Sequence, residues 1–395
     1  MVLYRDNLHI GGSLRVAELL AQAFDPALVE AHLVFMYDGP GPVAESGRVK
    51  CHYVGSTGPS DWRGWVRARS LFKDLSPDVI HFHQPIYWLH GALAGCGFRK
   101  VQHLHGPYFP AQMGRAELTL SVLVPRMVSH HVCITEEIRQ FALQRRWAAA
   151  ERTSNVYNAV DCAAYEVAPE RDEARARLGL PADARILGMV CRLAWYKGCD
   201  DGIRILSRLG TNWHLVFSGD GPIVEQLRGL ALEHGVANRI HFTGMLSDIR
   251  VAYSAMDAFL FLSRTEPFGL VIAEAMASGV PVFGLRGEGG YHDDTFPLVT
   301  PDNAVFVPRK NPSDLGAIED PAVLDALAAR LRDMETAPAS YREMAGQAKA
   351  WVRDRFDASR QAAEMIAVYQ QVLRPGASQA GAGSRAVSAE GACKP

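Results

Sequence analysis

The sequence has no apolar run of the roughly 18 residues that a membrane-spanning helix needs. Its opening stretch carries Arg5, Asp6 and His9 where a secretory leader would be apolar. Cysteine is sparse and badly arranged for cross-linking. The seven cysteines are odd in number, and none lies in a CxxC pair. Neither a disulfide framework nor a zinc site is suggested. Charge of one sign is also missing: the net charge is -2, which points away from nucleic acid as a partner. There are no short internal repeats. These absences predict a soluble, cytoplasmic protein kept in reducing surroundings.

What is present is a large apolar fraction, 48% of 395 residues, enough for two ordinary domains. Short β-rich apolar runs alternate with amphipathic stretches from end to end, which predicts an α/β protein with parallel sheets flanked by helices. Strands are expected near Ala31–Tyr37, Val49–Tyr53, Asp78–Phe82, Lys100–Leu104 and His131–Ile134. A second set is expected near Arg185–Cys191, His214–Ser218, Arg239–Thr243, Ala258–Leu262, Pro281–Leu285 and Val305–Val307. None alternates cleanly between apolar and polar, as strands covered on both faces should not. The reading is two Rossmann-like domains facing across a cleft, over residues 1–170 and 178–357. The charged segment Pro169–Arg177 reads as the linker between them. Residues 358–373 form a helix expected to pack back on the first domain, and 374–395 a disordered, aromatic-free tail. Ligands of such sheets bind at the carboxyl ends of the strands.

The most specific segment runs Glu266-Pro-Phe-Gly-Leu-Val-Ile-Ala-Glu274-Ala-Met-Ala-Ser-Gly. It follows an apolar strand, so Glu266 belongs in the loop at the cleft. A helix should start near Phe268 or Gly269 and stop at Gly279. Its first N–H groups would face the cleft and suit phosphate or sugar oxygens. Two carboxylates eight residues apart could each hold a hydroxyl pair of one ligand. The ordinary explanation, with Glu266 favouring the helix dipole and Glu274 solvated, is the better one for a single glutamate but a poor one for the whole string.

A second cluster, Arg192 to Lys197-Gly198, follows the strand ending at Cys191. A guanidinium and an ammonium together suit a diphosphate and would stabilise it as a leaving group. Alone, they read as surface cations. Weaker still are Gly11-Gly12 before the helix Leu14–Phe24 and the Ser218-Gly-Asp-Gly-Pro222 turn. His81, His83 and His105 at strand ends are by default structural histidines.

In this order the residues resemble glycosyltransferase family 4, whose fold is GT-B. The resemblance rests on Gly11-Gly12, Pro77–His83, His105-Gly106, Asn158–Asp161, Arg192, Lys197-Gly198, Gly219–Pro222, Phe242–Gly244 and the E-x7-E string. It implies a retaining transferase that moves a sugar from a UDP- or GDP-sugar donor to an acceptor, with no cofactor and no DxD-type metal motif. Arg192 and Lys197 would hold the diphosphate and Glu274 the ribose. Glu266, with the backbone of Phe268, Gly269 and Leu270, would hold the sugar. Gly12 would lie against the phosphates, His105 beside the reacting face, and backbone near Met245 and Leu246 against the base. Three departures stand out: Asn158-Ala159 where Asn-Gly is usual, the Gly287–His292 loop, which suggests unusual sugar selectivity, and a short segment before Gly11 that leaves little room for a first strand. Alternatives on the same fold are a sugar-nucleotide epimerase and a non-catalytic sugar-nucleotide-binding protein. The helix expected over Asp61–Lys73 mixes Arg63, Arg67, Arg69 and Lys73 with Trp62, Trp65 and Phe72, a composition that suits weak peripheral contact with the inner membrane face, although a first-domain helix that buries its aromatics and leaves its cations in solvent is the better reading of the same residues.

Overall fold

In a computed structural model of the chain, residues 2–5, 12–37, 48–58, 61–84, 87–106, 123–124, 127–287, 297–309, 318 and 320–374 are described. The first sheet has seven parallel strands in the order β3-β2-β1-β4-β5-β6-β7. They are β1 Val2–Arg5, β2 His32–Phe35, β3 Lys50–Tyr53, β4 Val79–Phe82, β5 Arg99–Leu104, β6 His130–Cys133 and β7 Thr153–Asn155. The second has six, in the order β10-β9-β8-β11-β12-β13. They are β8 Arg185–Val190, β9 Trp213–Ser218, β10 Ile240–Gly244, β11 Ala258–Phe261, β12 Val282–Gly287 and β13 Val305–Arg309. Both orders reverse beside the first strand of their domain, between β1 and β4 and between β8 and β11. Those switch points are where such sheets open a crevice.

The expected strands are all found. The short segment before Gly11 nevertheless forms β1, hydrogen-bonded on both sides, with Val2 opposite His32 and Ile80. Four residues suffice when both neighbours supply partners. The polar strand β7 carried no strong sequence signal; the helix Pro321–Thr336, with Asp320 as its cap, proline at its first position and Val323, Leu324, Leu327 and Leu331 buried at helical spacing, is an addition to the expected elements although its signals are present in the sequence.

The expected linker is a correction. Residues Arg171–Leu178 form a helix of the second domain. Arg175 is buried there and donates to the carbonyls of Ala255 (3.0 Å) and Ala184 (2.8 Å) and to Asp257 (2.7 Å). A charged segment reads as a linker until its charge proves to be internal. The crossing instead lies at Val160, whose N–H donates to the Phe356 carbonyl (2.9 Å) while its own carbonyl accepts from Ala358 (3.0 Å). The outgoing and returning chains are thus stitched together.

The last helix, Ala358–Leu373, is capped by Asp357, which accepts from the Ser359 N–H. It packs on the first domain as expected: Met365, Val368, Tyr369 and Val372 join a core with Leu20, Phe24 and Val132. The Tyr369 hydroxyl lies 2.8 Å from His81 Nδ1. No helix among the described residues is long and apolar enough to cross a membrane. The tail from 375 and most of the Gly287–His292 loop lie outside the described residues.

Candidate active site

Strand β8 delivers Arg192 and a short turn, Trp195–Lys197, to the switch point of the second sheet. Gly198 closes that turn with φ +66°, and a Cβ there would meet the Leu262 carbonyl at 2.3 Å. Only glycine lets the turn sit against the end of β11. Its reward is contact: Lys197 Nζ pairs with Glu266 Oε2, the carboxylate that leaves β11. Burial pulls the lysine pKa down, and the charge and hydrogen bond of Glu266 pull it up by more, leaving the ammonium firmly protonated. Arg192 is exposed and has no ion pair among the described residues, so its guanidinium is available to a ligand.

Gly269, at φ +81°, then opens the helix Leu270–Ala277. The Phe268 side chain is core, packed at 5.9 Å against Phe356, so its backbone is what a ligand can reach. Glu274 sits inside this helix and is 3% exposed, which rules out a solvated role. The Tyr253 hydroxyl donates to it at 2.7 Å, and Arg15 Nε lies 3.3 Å away. Burial raises the Glu274 pKa, with Arg15 and the tyrosine hydroxyls opposing.

The first domain closes the other side. The helix Gly12–Ala23 begins at Gly12, where an added Cβ would meet Leu270 Cδ1 at 3.4 Å; one at Gly106 would meet Pro267 at 3.5 Å. The carboxyl ends of the two sheets therefore face each other at side-chain contact distance. His105 follows β5, with its Nε2 3.0 Å from His83 Nδ1. His81, His83, His103 and His105 stack along one face of β4 and β5. Burial lowers the pKa of all four, His105 to about 3, so the stack is neutral. Ring nitrogens of His81, His83 and His103 come within 4.8 Å of one another. That trio belongs to the first domain's sheet, not to Arg192 or Lys197.

The structure thus brings Gly12, Lys197, Glu266, Gly269, Leu270 and Glu274 together. Met245, exposed, and Leu246, partly packed in the core, follow β10, two strands from β8 at the same end of the sheet. Several neighbours of these residues were not foreseen. Arg15, Tyr165 and Tyr253 surround Glu274. Arg264 donates to both oxygens of Asp200 (2.8 and 2.7 Å), to Asp201 (2.9 Å) and to the Trp195 carbonyl, locking the Lys197 turn to β11. The nearness of Arg264 to Glu266 in sequence was the one available hint.

Residues 10–164 match the family described as Glycosyltransferase Family 4, and residues 170–351 that described as Glycosyl transferases group 1. The chain belongs to family 4 of the glycosyltransferases. Among its relatives is a lipopolysaccharide core biosynthesis glycosyltransferase, LpsE, of Rhizobium meliloti, 38% identical over 29% of this chain and 34% of that one. Another is the 2-deoxystreptamine glucosyltransferase of Streptomyces kanamyceticus, 31% identical over 57% of this chain and 56% of that one. The matches thus span from about a third to just over half the length of these relatives. The crystal structure of Anabaena Alr3699/HepE in complex with UDP and glucose superposes with a TM-score of 0.75 at 22% identity. It covers 93% of this family member and 98% of that chain, and the shared fold is GT-B.

Proposed function

We propose that this family member transfers a sugar from a nucleotide diphosphate donor to an acceptor, with retention of anomeric configuration and without a metal ion. The observation that carries the reading is the Lys197–Glu266 pair beneath the open amino end of the Leu270–Ala277 helix. A cation, a carboxylate and free backbone N–H groups converge there on one small volume. Arg192 and Lys197 neutralise the diphosphate, and Glu266 accepts hydrogen bonds from sugar hydroxyls. Glu274 meets the ribose. The N–H groups of Gly269 and Leu270, with the amino end of the Gly12 helix, face oxygens of the sugar and phosphates.

As the bond between sugar and phosphate lengthens, charge accumulates on the departing diphosphate, where Arg192 and Lys197 stabilise it. The diphosphate leaves from the face the acceptor approaches and takes the acceptor's proton. A pair of flanking carboxylates, as in a retaining glycosidase, is then unnecessary. His105, neutral and beside the cleft, offers a hydrogen bond at the reacting face. A UDP-sugar is the favoured donor, on the likeness to a structure holding UDP and glucose. The loop after Gly287 is expected to bear on which sugar is accepted, and the acceptor faces the first domain.

The test is a thermal-shift panel of UDP- and GDP-sugars followed by acceptor screening by mass spectrometry. Stabilisation by a nucleotide sugar with transfer to an acceptor supports the reading. Epimerisation of the donor with no acceptor present would replace transfer by isomerisation.

Weak membrane contact is part of the same proposal. On the helix Trp62–Leu75, Trp62 and Val66 are exposed beside Arg63. Arg67 and Arg69 instead bond backbone carbonyls of Val54 and Ala94, and Phe72 is buried. The exposed apolar side chains therefore lie in the first turn and a half, with Lys73 exposed at the far end of the helix.

A further inference from the structure

Cys191 directly follows β8, the strand that leads into the candidate site, and Cys199 opens the helix Cys199–Leu206 that comes after it. Their sulfurs lie 3.6 Å apart. Between them run Arg192, the Trp195–Lys197 turn and Gly198. We propose that Cys191 and Cys199 are a redox modification site: a reversible disulfide between them closes the diphosphate loop into a ring and lowers donor affinity.

The geometry favours this bond over any other among the described cysteines. A disulfide needs sulfurs about 2.05 Å apart, so the pair must close by roughly 1.5 Å. The backbone at Cys191 is held in place. The Cys191 N–H donates to the Ser218 carbonyl at 3.2 Å, and a Cβ on Gly219 would lie 2.0 Å from the Cys191 carbonyl oxygen. The approach must therefore come from the side chains and from a small shift of the Lys197 turn, against its Arg264 contacts.

The two thiols are unequal, as attacking and resolving partners need to be. Cys191 is partly exposed and close enough to Lys197 to share its electrostatic field. Cys199 is fully buried, and its hydrogen bond with Cys191 followed by burial pushes its pKa up. It is shielded from oxidant and reacts only with its neighbour. With hydrogen peroxide as oxidant, the Cys191 thiol gives up its proton and its sulfur attacks one peroxide oxygen. The O–O bond breaks, the departing hydroxide takes that proton and leaves as a first water, and Cys191 is left as the sulfenic acid. The Cys199 sulfur then attacks the Cys191 sulfur, losing its proton, and the sulfenic oxygen leaves as a second water. The two cysteines lose two electrons and the peroxide gains them. A thiol reductant reverses the bond by exchange.

The bond has a consequence because Lys197 lies inside the ring. Drawing Cys199 toward Cys191 pulls on the turn and separates Lys197 from Glu266. That consequence rests on the proposed diphosphate role of Arg192 and Lys197; the bond itself does not. Loss of one charge-assisted contact predicts about tenfold weaker donor binding or more.

The full-length protein is treated with hydrogen peroxide and digested without reduction, and cross-linked peptides are mapped by mass spectrometry. UDP affinity is measured before treatment, after it, and after dithiothreitol. Expected are a Cys191–Cys199 cross-link, weaker UDP binding, and recovery with the reductant. Cys191→Ser and Cys199→Ala should each bind UDP normally and keep that affinity through peroxide. Oxidation of exposed Cys51 with no Cys191–Cys199 cross-link overturns the proposal, as does a cross-linked protein that binds UDP as well as the reduced form. Reduced protein that binds no UDP or GDP would fail the donor reading instead, while the peptide map would still decide the disulfide.

Discussion

Arg15 and Glu274 meet across the cleft, Nε to Oε1 at 3.3 Å, one from the first helix of the first domain and the other from within the second domain. Arg15 is about half exposed while Glu274 is buried, so the pair is not a strong clamp between domains. Its effect falls on the carboxylate. Burial raises the Glu274 pKa, and Arg15 is the first of the groups that hold it down. Removing Arg15 should raise it further. In Arg15→Ala, UDP affinity is therefore expected to fall away at a higher pH than in the parent protein. Isothermal titration from pH 5 to 8 decides this; superimposable profiles would disconnect Arg15 from the donor site.

Glu274→Ala should weaken donor binding by about 1.5–3 kcal/mol, the size of a lost charge-assisted hydrogen bond. Glu274→Gln keeps the volume and removes the charge, and should fall between. Calorimetry with a UDP-sugar is the measurement, and unchanged affinity in both variants would refute the ribose role.

Transfer is expected to persist in excess chelator, because Lys197, Arg192 and the helix amino end supply positive potential at the leaving group. Lys197→Ala should depress kcat more than it raises KM, since charge on the diphosphate grows toward the transition state. Activity abolished by chelation and restored by magnesium or manganese would overturn the metal-free mechanism. A normal kcat in Lys197→Ala would remove Lys197 from it.

Acid should unfold the first domain early. Burial holds His90, His105 and His131 at pKa values of about 3 and His130 at about 4, with His81, His83 and His103 also well below the usual range. The unfolded chain takes up these protons near pH 6.5. Their contribution is complete above that pH and is lost as pH falls from 6.5 toward the folded values. Each such imidazole costs about 1.4 kcal/mol per pH unit in that window. The Tm should be level from pH 7 to 8 and drop steeply between 6 and 4; a level Tm down to pH 5 would contradict the neutral stack.

For membrane contact, the parent protein should co-sediment weakly with anionic vesicles at low salt and Trp62→Ala less. No co-sedimentation of the parent protein ends that part of the proposal.

Much of this was legible before folding. The alternation of apolar runs with amphipathic stretches demanded two parallel sheets, because each element must bury one face and neighbouring strands need crossover helices. The Glu266–Glu274 string located the loop and helix, because a strand, a glycine at positive φ and a small-residue helix leave few conformations open. Local signals of this kind act over ten residues or fewer. The rest depended on contacts between distant segments. That Arg171–Leu178 is a helix of the second domain follows from the carbonyls at Ala184 and Ala255 and the carboxylate of Asp257 that receive Arg175, and nothing in its own charged composition announces them. Arg15 acquires a role only when two domains bring residues 259 positions apart within hydrogen-bonding range. Cys191 and Cys199 are scattered thiols in the sequence; the close packing of the β8 loop against the helix that follows makes them neighbours. Sequence by itself determined which elements form and where the Glu266 loop lies. Tertiary packing alone decided which charges and sulfurs meet there, because such pairings depend on distances in space that local patterns do not encode.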